Sequence, residues 1–117
     1  MRIIYLAHPY GGVPANLERA QRWYTWIYRT QKGVVPVADW IITCMALDDR
    51  SDADRALGMR GNKAIIAICD EVWLTGGRIS SGMQEEADFA AECGVKIVNL
   101  VAMGYEPPPI NTPVVIA

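Results

Sequence analysis

The sequence predicts a doubly wound α/β domain built on a sheet of about four or five mainly parallel strands. Three observations predict it. Short apolar runs recur at Ile3–Ala7, Val34–Val37, Val72–Leu74 and Val95–Val101. Stretches with helical spacing of apolar residues lie between them. The runs do not alternate apolar with polar residues, which is the pattern of strands covered on both faces.

The first run, Ile3-Ile4-Tyr5-Leu6-Ala7, ends at His8-Pro9, and Tyr5 is its one polar-tipped residue. Tyr10 to Pro14 is a loop containing Gly11 and Gly12. Asn16 is placed to cap a helix to about Thr30, with Leu17, Ala20, Tyr24 and Ile27 on one face. Val34–Val37 is a second strand, and Pro36 suits an edge because it cannot donate to a ladder. A short helix from Asp39 to Leu47 is expected to bury Ile41, Ile42 and Met45. Asp48 to Asp52 is a polar turn whose spacing does not fit a calcium loop. Ser51 with Asp54 is a capping signature. The helix that follows runs to about Cys69 and carries Gly58 and Gly61. Each glycine costs about 1 kcal/mol against alanine there, so close packing or a ligand is expected to account for them. Asp70–Leu74 is the third strand. Gly94 sits where a helix C′ residue belongs, and Val95–Val101 is the fourth strand. Pro107-Pro108-Pro109 is a stiff stretch, and Val114–Ile116 is read as a short final strand.

With 117 residues, 51% hydrophobic and 21% charged, the chain is one folded domain, residues 1–117. A formal charge of −2 and no basic run exclude a nucleic-acid backbone as partner. No apolar stretch reaches the ~18 residues of a membrane span, and no secretory leader pattern opens the chain. Cys44, Cys69 and Cys93 are widely spaced and read as reduced thiols of a cytoplasmic protein. One histidine and scattered cysteines do not make a metal site, and nothing in the chain calls for a cofactor.

The stretch with most chemistry is Leu74 to Glu86. A strand runs into a Gly- and Ser-rich loop, and the loop into a helix. A helix start presents unpaired N–H groups to an anion. Ser81 is read as the N-cap, with Gln84 as its capping-box partner. Met83, Ala87, Ala90 and Ala91 then form one apolar stripe. Glu86 lies on its flank, while Glu85, Asp88 and Glu92 face solvent. Gly82, one turn before Glu86, leaves space above that carboxylate. Glu86 is either a site acid or one more acid near a helix start, where the macrodipole favours it. Ligands of such sheets bind at the carboxyl ends of the strands, which gathers His8 to Gly12, Asp39 and the 75–86 loop at one rim. His8 is either a ligand contact or a hydrogen-bonded structural residue.

Three segments in register carry a family resemblance: Tyr5-Leu6-Ala7-x-Pro9-Tyr10, Asp70 opening the third strand, and Ser80-x-Gly82-x-x-x-Glu86. Together they resemble the nucleoside 2-deoxyribosyltransferase superfamily, from about Ile3 to Leu100, and look most similar to small phage and bacterial members. The resemblance implies a flavodoxin-like or Rossmann-like fold and cleavage or exchange of an N-glycosidic bond. It implies Glu86 as catalytic carboxylate and Tyr5 as the residue that orients it. Ser80 stands where the nucleoside 5′-monophosphate N-glycosidases carry a serine that helps hold phosphate. With Ser81, Gly82 and the Gly11-Gly12 loop, it implies a 5′-phosphate on the substrate. Asn62 stands where the family usually has an aspartate that serves the base, and it cannot supply a proton. Asp39, Asp52 and Asp54 are the acids that can stand in. One alternative is a non-catalytic nucleotide-binding protein. Another is a phosphoribohydrolase of the cytokinin-activating type, which Gly76-Gly77 followed by Glu85-Glu86 resembles. Relatives complete their sites with a neighbouring subunit. A homo-oligomer is therefore expected, with the Trp-bearing helix and the Pro-rich tail as contacts.

Overall fold

The computed structural model describes residues 1–109 and 114–116. Four strands, β1 (Arg2–Ala7), β2 (Val34–Val37), β3 (Glu71–Leu74) and β4 (Lys96–Asn99), form one sheet in the order β2-β1-β3-β4. Every pairing is parallel, with Tyr5 opposite Val37 on one side and Val72 on the other. Four helices connect and cover them: α1 (Pro14–Thr30), α2 (Trp40–Ala46), α3 (Asp52–Ile66) and α4 (Ser81–Glu92). This is a flavodoxin-like doubly wound α/β fold. The chain moves outward from β1 to β2 and then crosses back to β3, so the direction of winding changes between β1 and β3. Such a switch point opens a crevice at the carboxyl ends of those two strands.

The pleat sorts the central strands into two cores. Ile4, Leu6, Trp73 and Val98 pack against Trp23, Trp26 and Ile27 of α1. Tyr5, Ala7, Val72 and Leu74 pack on the other face against Trp40, Ile66 and the Met83, Ala87 and Ala90 stripe. β1 and β3 are buried almost throughout, which accounts for their unbroken apolar runs. Pro36 lies on β2, an edge strand, as its missing N–H requires.

Several local expectations are corrected. α1 starts at Pro14, not at Asn16, because proline at the first helical position needs no N–H partner. Asn16 instead turns inward, and its Nδ2 donates to Tyr10 O at 2.9 Å, which fixes the Tyr10–Val13 loop. Ala91 is exposed, so the α4 stripe ends at Ala90. Ile42 is 63% and Met45 72% exposed, since α2 is two turns long and turns Trp40, Ile41 and Cys44 to the core instead. Gly58 is explained by close packing, because a Cβ there would lie 3.1 Å from Thr43 Cγ2, whereas a Cβ at Gly61 would meet open space. Ser51 does cap α3, accepting from Asp54 N–H, and Gly94 follows α4 with φ of +71°.

Val114–Ile116 forms no strand. It closes the α1 face as an extended cover. Gln31, 4% exposed, reads its backbone: Nε2 donates to Val114 O at 2.7 Å and Oε1 accepts from Ile116 N–H at 2.8 Å. Trp23 Nε1 donates to Glu106 O at 3.1 Å. Trp23 and Trp26 are therefore core residues. Their rings pack edge to face with centroids 5.5 Å apart.

Candidate active site

At the switch point, Thr75 ties the ends of β1 and β3 together. Its N–H and its Oγ1 both donate to Ala7 O, at 2.9 and 2.8 Å. The chain then turns through Gly76 and Gly77, whose φ values of +98° and +85° favour glycine. Gly76 has a second reason to be glycine. A Cβ there would come within 2.7 Å of His8 Nε2 and 2.6 Å of Pro9 Cδ. The loop ends at Ser80, which is the N-cap of α4 in place of the expected Ser81. Ser80 Oγ accepts from Met83 N–H at 3.2 Å, and the Met83 sulfur faces Ser80 N–H, so Gln84 has no capping-box role.

One and a half turns in, α4 points Glu86 at β1. The side chain is 6% exposed. Tyr5 OH donates to Oε2 at 2.5 Å, and Asn62 Nδ2 donates to the same oxygen at 3.2 Å. Among the described residues Oε1 receives no hydrogen bond. Burial pushes the Glu86 carboxyl up to about 7. The Tyr5 and Asn62 donors pull it down by less, and the charge of Glu85 adds to the rise. Burial also raises the Tyr5 hydroxyl well above its ordinary value, with the adjacent Glu86 carboxylate second. The phenol thus stays protonated and keeps its proton directed at Glu86 Oε2. Near neutral pH this is a carboxylate poised between its two forms, with one oxygen held and the other free. In its ionised form such a carboxylate can act as a nucleophile or stabilise developing positive charge.

Glu86 lies on the wall of a cavity of about 210 Å³. Ser80, Ser81 and Gly82 form one side, His8 and Gly11 another, and Asn62 a third. Tyr5 stands behind Glu86 in the core. The N–H groups of Ser81 and Gly82 have no protein acceptor among the described residues and are free to meet an anion.

The model of one family matches residues 2–100 and is described as a domain of unknown function, DUF7768. The chain belongs to this DUF7768 family. No curated protein matches it. The DUF7768 span holds all four strands, all four helices and the whole cavity wall. The cover beyond Leu100 lies outside it.

Within the DUF7768 span, two of the sequence candidates, besides Tyr5 behind Glu86, do not line the cavity. Gly12 is exposed beyond it. Asp39 is exposed at the start of α2, where its carbonyl accepts from Thr43. Of the acids considered as stand-ins for the base-side aspartate, Asp52 is also outside the Glu86 cavity, while Asp54 lines it. Asp54 Oδ2 already accepts from Asp48 N–H at 2.9 Å. Sequence reasoning missed most of the far wall: Thr43 and Cys44 of α2 beside Trp40, Asp48 and Asp49 of the turn, and Met59 of α3. No local signal places the turn there, since it joins α2 to α3 and its position depends on how those two helices pack. Trp40 is held there by a hydrogen bond from Nε1 to Leu6 O at 2.8 Å. Burial, with Asp49 and Glu86, pushes the Cys44 thiol up to about 11, so it stays an inert thiol. Among the described residues no cluster of histidine, cysteine and acids could hold a metal, and no helix is long and apolar enough to cross a membrane.

Proposed function

We propose that the chain cleaves or exchanges the N-glycosidic bond of a nucleoside 5′-monophosphate. One observation carries this: a buried cavity-wall carboxylate, Glu86, whose Oε2 is fixed by Tyr5 and Asn62 while Oε1 is left free. Breaking an N-glycoside passes through an oxocarbenium-like state, which a carboxylate beneath C1 stabilises or captures. In this reading Oε1 attacks C1, the C1–N bond breaks, and the base departs with the bond's electron pair. Water or a second base then releases the sugar from Glu86. The phosphate sits over Ser80, Ser81 and Gly82, against the free N–H groups of the first α4 turn and facing Gly11. The resemblance to nucleoside 2-deoxyribosyltransferases points the same way. Unbridged Cys44, Cys69 and Cys93 agree with a reducing, cytoplasmic setting. We propose self-association as well, and light scattering giving a monomer at working concentration would overturn it. The decisive experiment incubates the protein with a panel of nucleoside 5′-monophosphates and separates free base by chromatography. Base release that Glu86→Ala abolishes is the expected result. Release from none of them, or release untouched by that substitution, sinks the proposal.

A second reading, nucleotide binding without turnover, is favoured by Asn62. Its amide is committed to Glu86 and offers no proton to a departing base. Calorimetry with the same panel separates the two, since here the ligand binds tightly and is recovered intact.

A further inference from the structure

Glu86 Oε1 has no hydrogen-bond partner, yet it is not sealed in the core, since His8 Nε2 is the one such atom among the described residues. Oε1 therefore opens on the cavity and is free to meet a ligand there. The cavity wall carries the acids Asp48, Asp49, Asp54 and Glu86, and Arg55 is its one lysine or arginine. Of these charges Arg55 alone attracts a phosphate. Arg55, Gly58, Met59 and Asn62 of α3 keep the i, i+3, i+4, i+7 spacing of one helical face, and all of them line the cavity. That face turns to α4. Asn62 reaches Glu86, Lys63 Nζ pairs with Glu85 at 2.9 Å, and a Cβ on Gly82 would lie 3.8 Å from Met59 Cε. Partners advance in the same direction along both helices, so α3 and α4 lie side by side and parallel. Arg55 stands one turn before Met59. It is therefore level with the open end of α4, where the unclaimed N–H groups of Ser81 and Gly82 point. Ser81 and Gly82 share with Arg55 both this cavity and the pocket beside it. The exposed guanidinium makes no ion pair or hydrogen bond among the described residues, although Asp52 and Asp54 stand within a turn of it. Asp54 is drawn to Asp48 N–H instead.

We propose that Arg55 takes the 5′-phosphate of the substrate and is the residue that makes the site prefer nucleotides to nucleosides. The assignment rests on the reading of the cavity as a nucleoside 5′-monophosphate site. The planar guanidinium donates to two phosphate oxygens at once, and the Ser81 and Gly82 N–H groups donate to the same phosphate from the α4 side. From Asn62, beside Glu86, back to Arg55 is two turns of α3, roughly 10 Å. The arginine side chain and a pentose with its 5′ group span that distance together, with C1 at Glu86 Oε1.

The test is calorimetry of wild type, Arg55→Gln and Arg55→Lys. The ligands are adenosine, guanosine, cytidine and uridine 5′-monophosphates and their 2′-deoxy forms, each beside its own nucleoside. For the nucleotide that wild type holds best, Arg55→Gln is expected to weaken binding by about tenfold or more, and that of the matched nucleoside by less than about twofold. Arg55→Lys recovers part of the loss, because it restores the charge without the two-pronged fork. Arg55 is exposed, so the urea midpoint stays that of wild type. Arg78→Gln is the control, since Arg78 is an exposed arginine of the loop before α4 that does not line the cavity. An unchanged nucleotide affinity in Arg55→Gln overturns the proposal, and so does an equal loss for nucleotide and nucleoside. The same selective loss in Arg78→Gln also overturns it, because net charge rather than position would then set the preference. A wild type that prefers no nucleotide to its nucleoside removes the 5′-phosphate reading as a whole, and Arg55 with it. Base release is not what is measured, so failure of cleavage and failure of this assignment are separate results.

Discussion

Glu71 and Glu86 are both buried, at 4% and 6% exposure, and they sit on opposite faces of the same sheet. Glu71 is saturated. Arg2 Nη1 donates to Oε2 at 2.7 Å and Trp73 Nε1 to Oε1 at 2.9 Å, and Arg2 Nη2 reaches on to Ile116 O. A cation, an indole and the C-terminal cover close its surroundings. Among the described residues Glu86 has no ion-pair partner. Two neutral donors share one oxygen, the other is free, and a cavity opens in front. Burial of a charge is tolerated where it is paired and fully hydrogen-bonded. Glu71 meets that condition and serves the fold. Glu86 fails it, and this costly, half-satisfied acid at the switch point of a doubly wound sheet is what the proposed function rests on.

The largest expected effect tests Glu86 directly. Glu86→Gln keeps an acceptor for Tyr5 and Asn62 but removes the nucleophile, so kcat for base release falls by about 10³-fold or more, roughly 4 kcal/mol of barrier. Stability moves the other way. The folded value near 7 lies above the ordinary 4.5 of a carboxyl, so between these the folded state holds more protons than the unfolded one. Glu86's contribution is thus fully present below pH 4.5 and is lost as pH rises through 7, by about 3 kcal/mol. Urea melts from pH 4 to 8.5 should show Glu86→Gln gaining on the wild type by that amount at the alkaline end, with no difference at pH 4. Parallel curves for the two proteins would mean that Glu86 is not a strained acid.

Glu71→Gln is the contrasting experiment. A neutral amide cannot accept from Arg2 and Trp73 at once without turning its NH2 toward one donor. The loss is about 2 kcal/mol of stability, seen as a lower urea midpoint, with catalytic parameters unchanged at temperatures where the variant is folded. A fall in kcat with the fold intact would erase the distinction between the two acids.

The sequence carried the sheet, since β1 and β3 are covered on both faces and their composition says so. The Tyr5–Glu86 hydrogen bond was expected from the family resemblance, whereas the pattern alone showed only a polar tip in a buried strand and an acid beside an apolar stripe. The far wall was not legible. Whether the 48–54 turn is a solvated surface or folds over a cavity depends on where α2 and α3 pack, and α2 has too few residues to show a face. Ile42 and Met45 have apolar spacing, yet no element arrives to cover them. The cover at 114–116 was misread as a strand because Val114, Val115 and Ile116 are β-branched. What holds it is Gln31, eighty-odd residues away, and no local pattern announces such a contact.

The smallest effect separates two serines that look alike in the sequence. Ser80 accepts from Met83 N–H as the cap of α4, so Ser80→Ala costs about 1 kcal/mol of stability. Ser81 is the first residue of α4, exposed at the cavity edge, and its side chain makes no hydrogen bond among the described residues. Ser81→Ala therefore leaves the urea midpoint within about 0.5 kcal/mol of wild type. If phosphate lies on this turn, losing one hydroxyl donor to a charged group weakens binding of a nucleoside 5′-monophosphate by about tenfold, and that of the unphosphorylated nucleoside not at all. Calorimetry with the matched pair of ligands reads the difference. Equal loss for both would move the phosphate off α4 and leave Glu86 with a substrate of another kind.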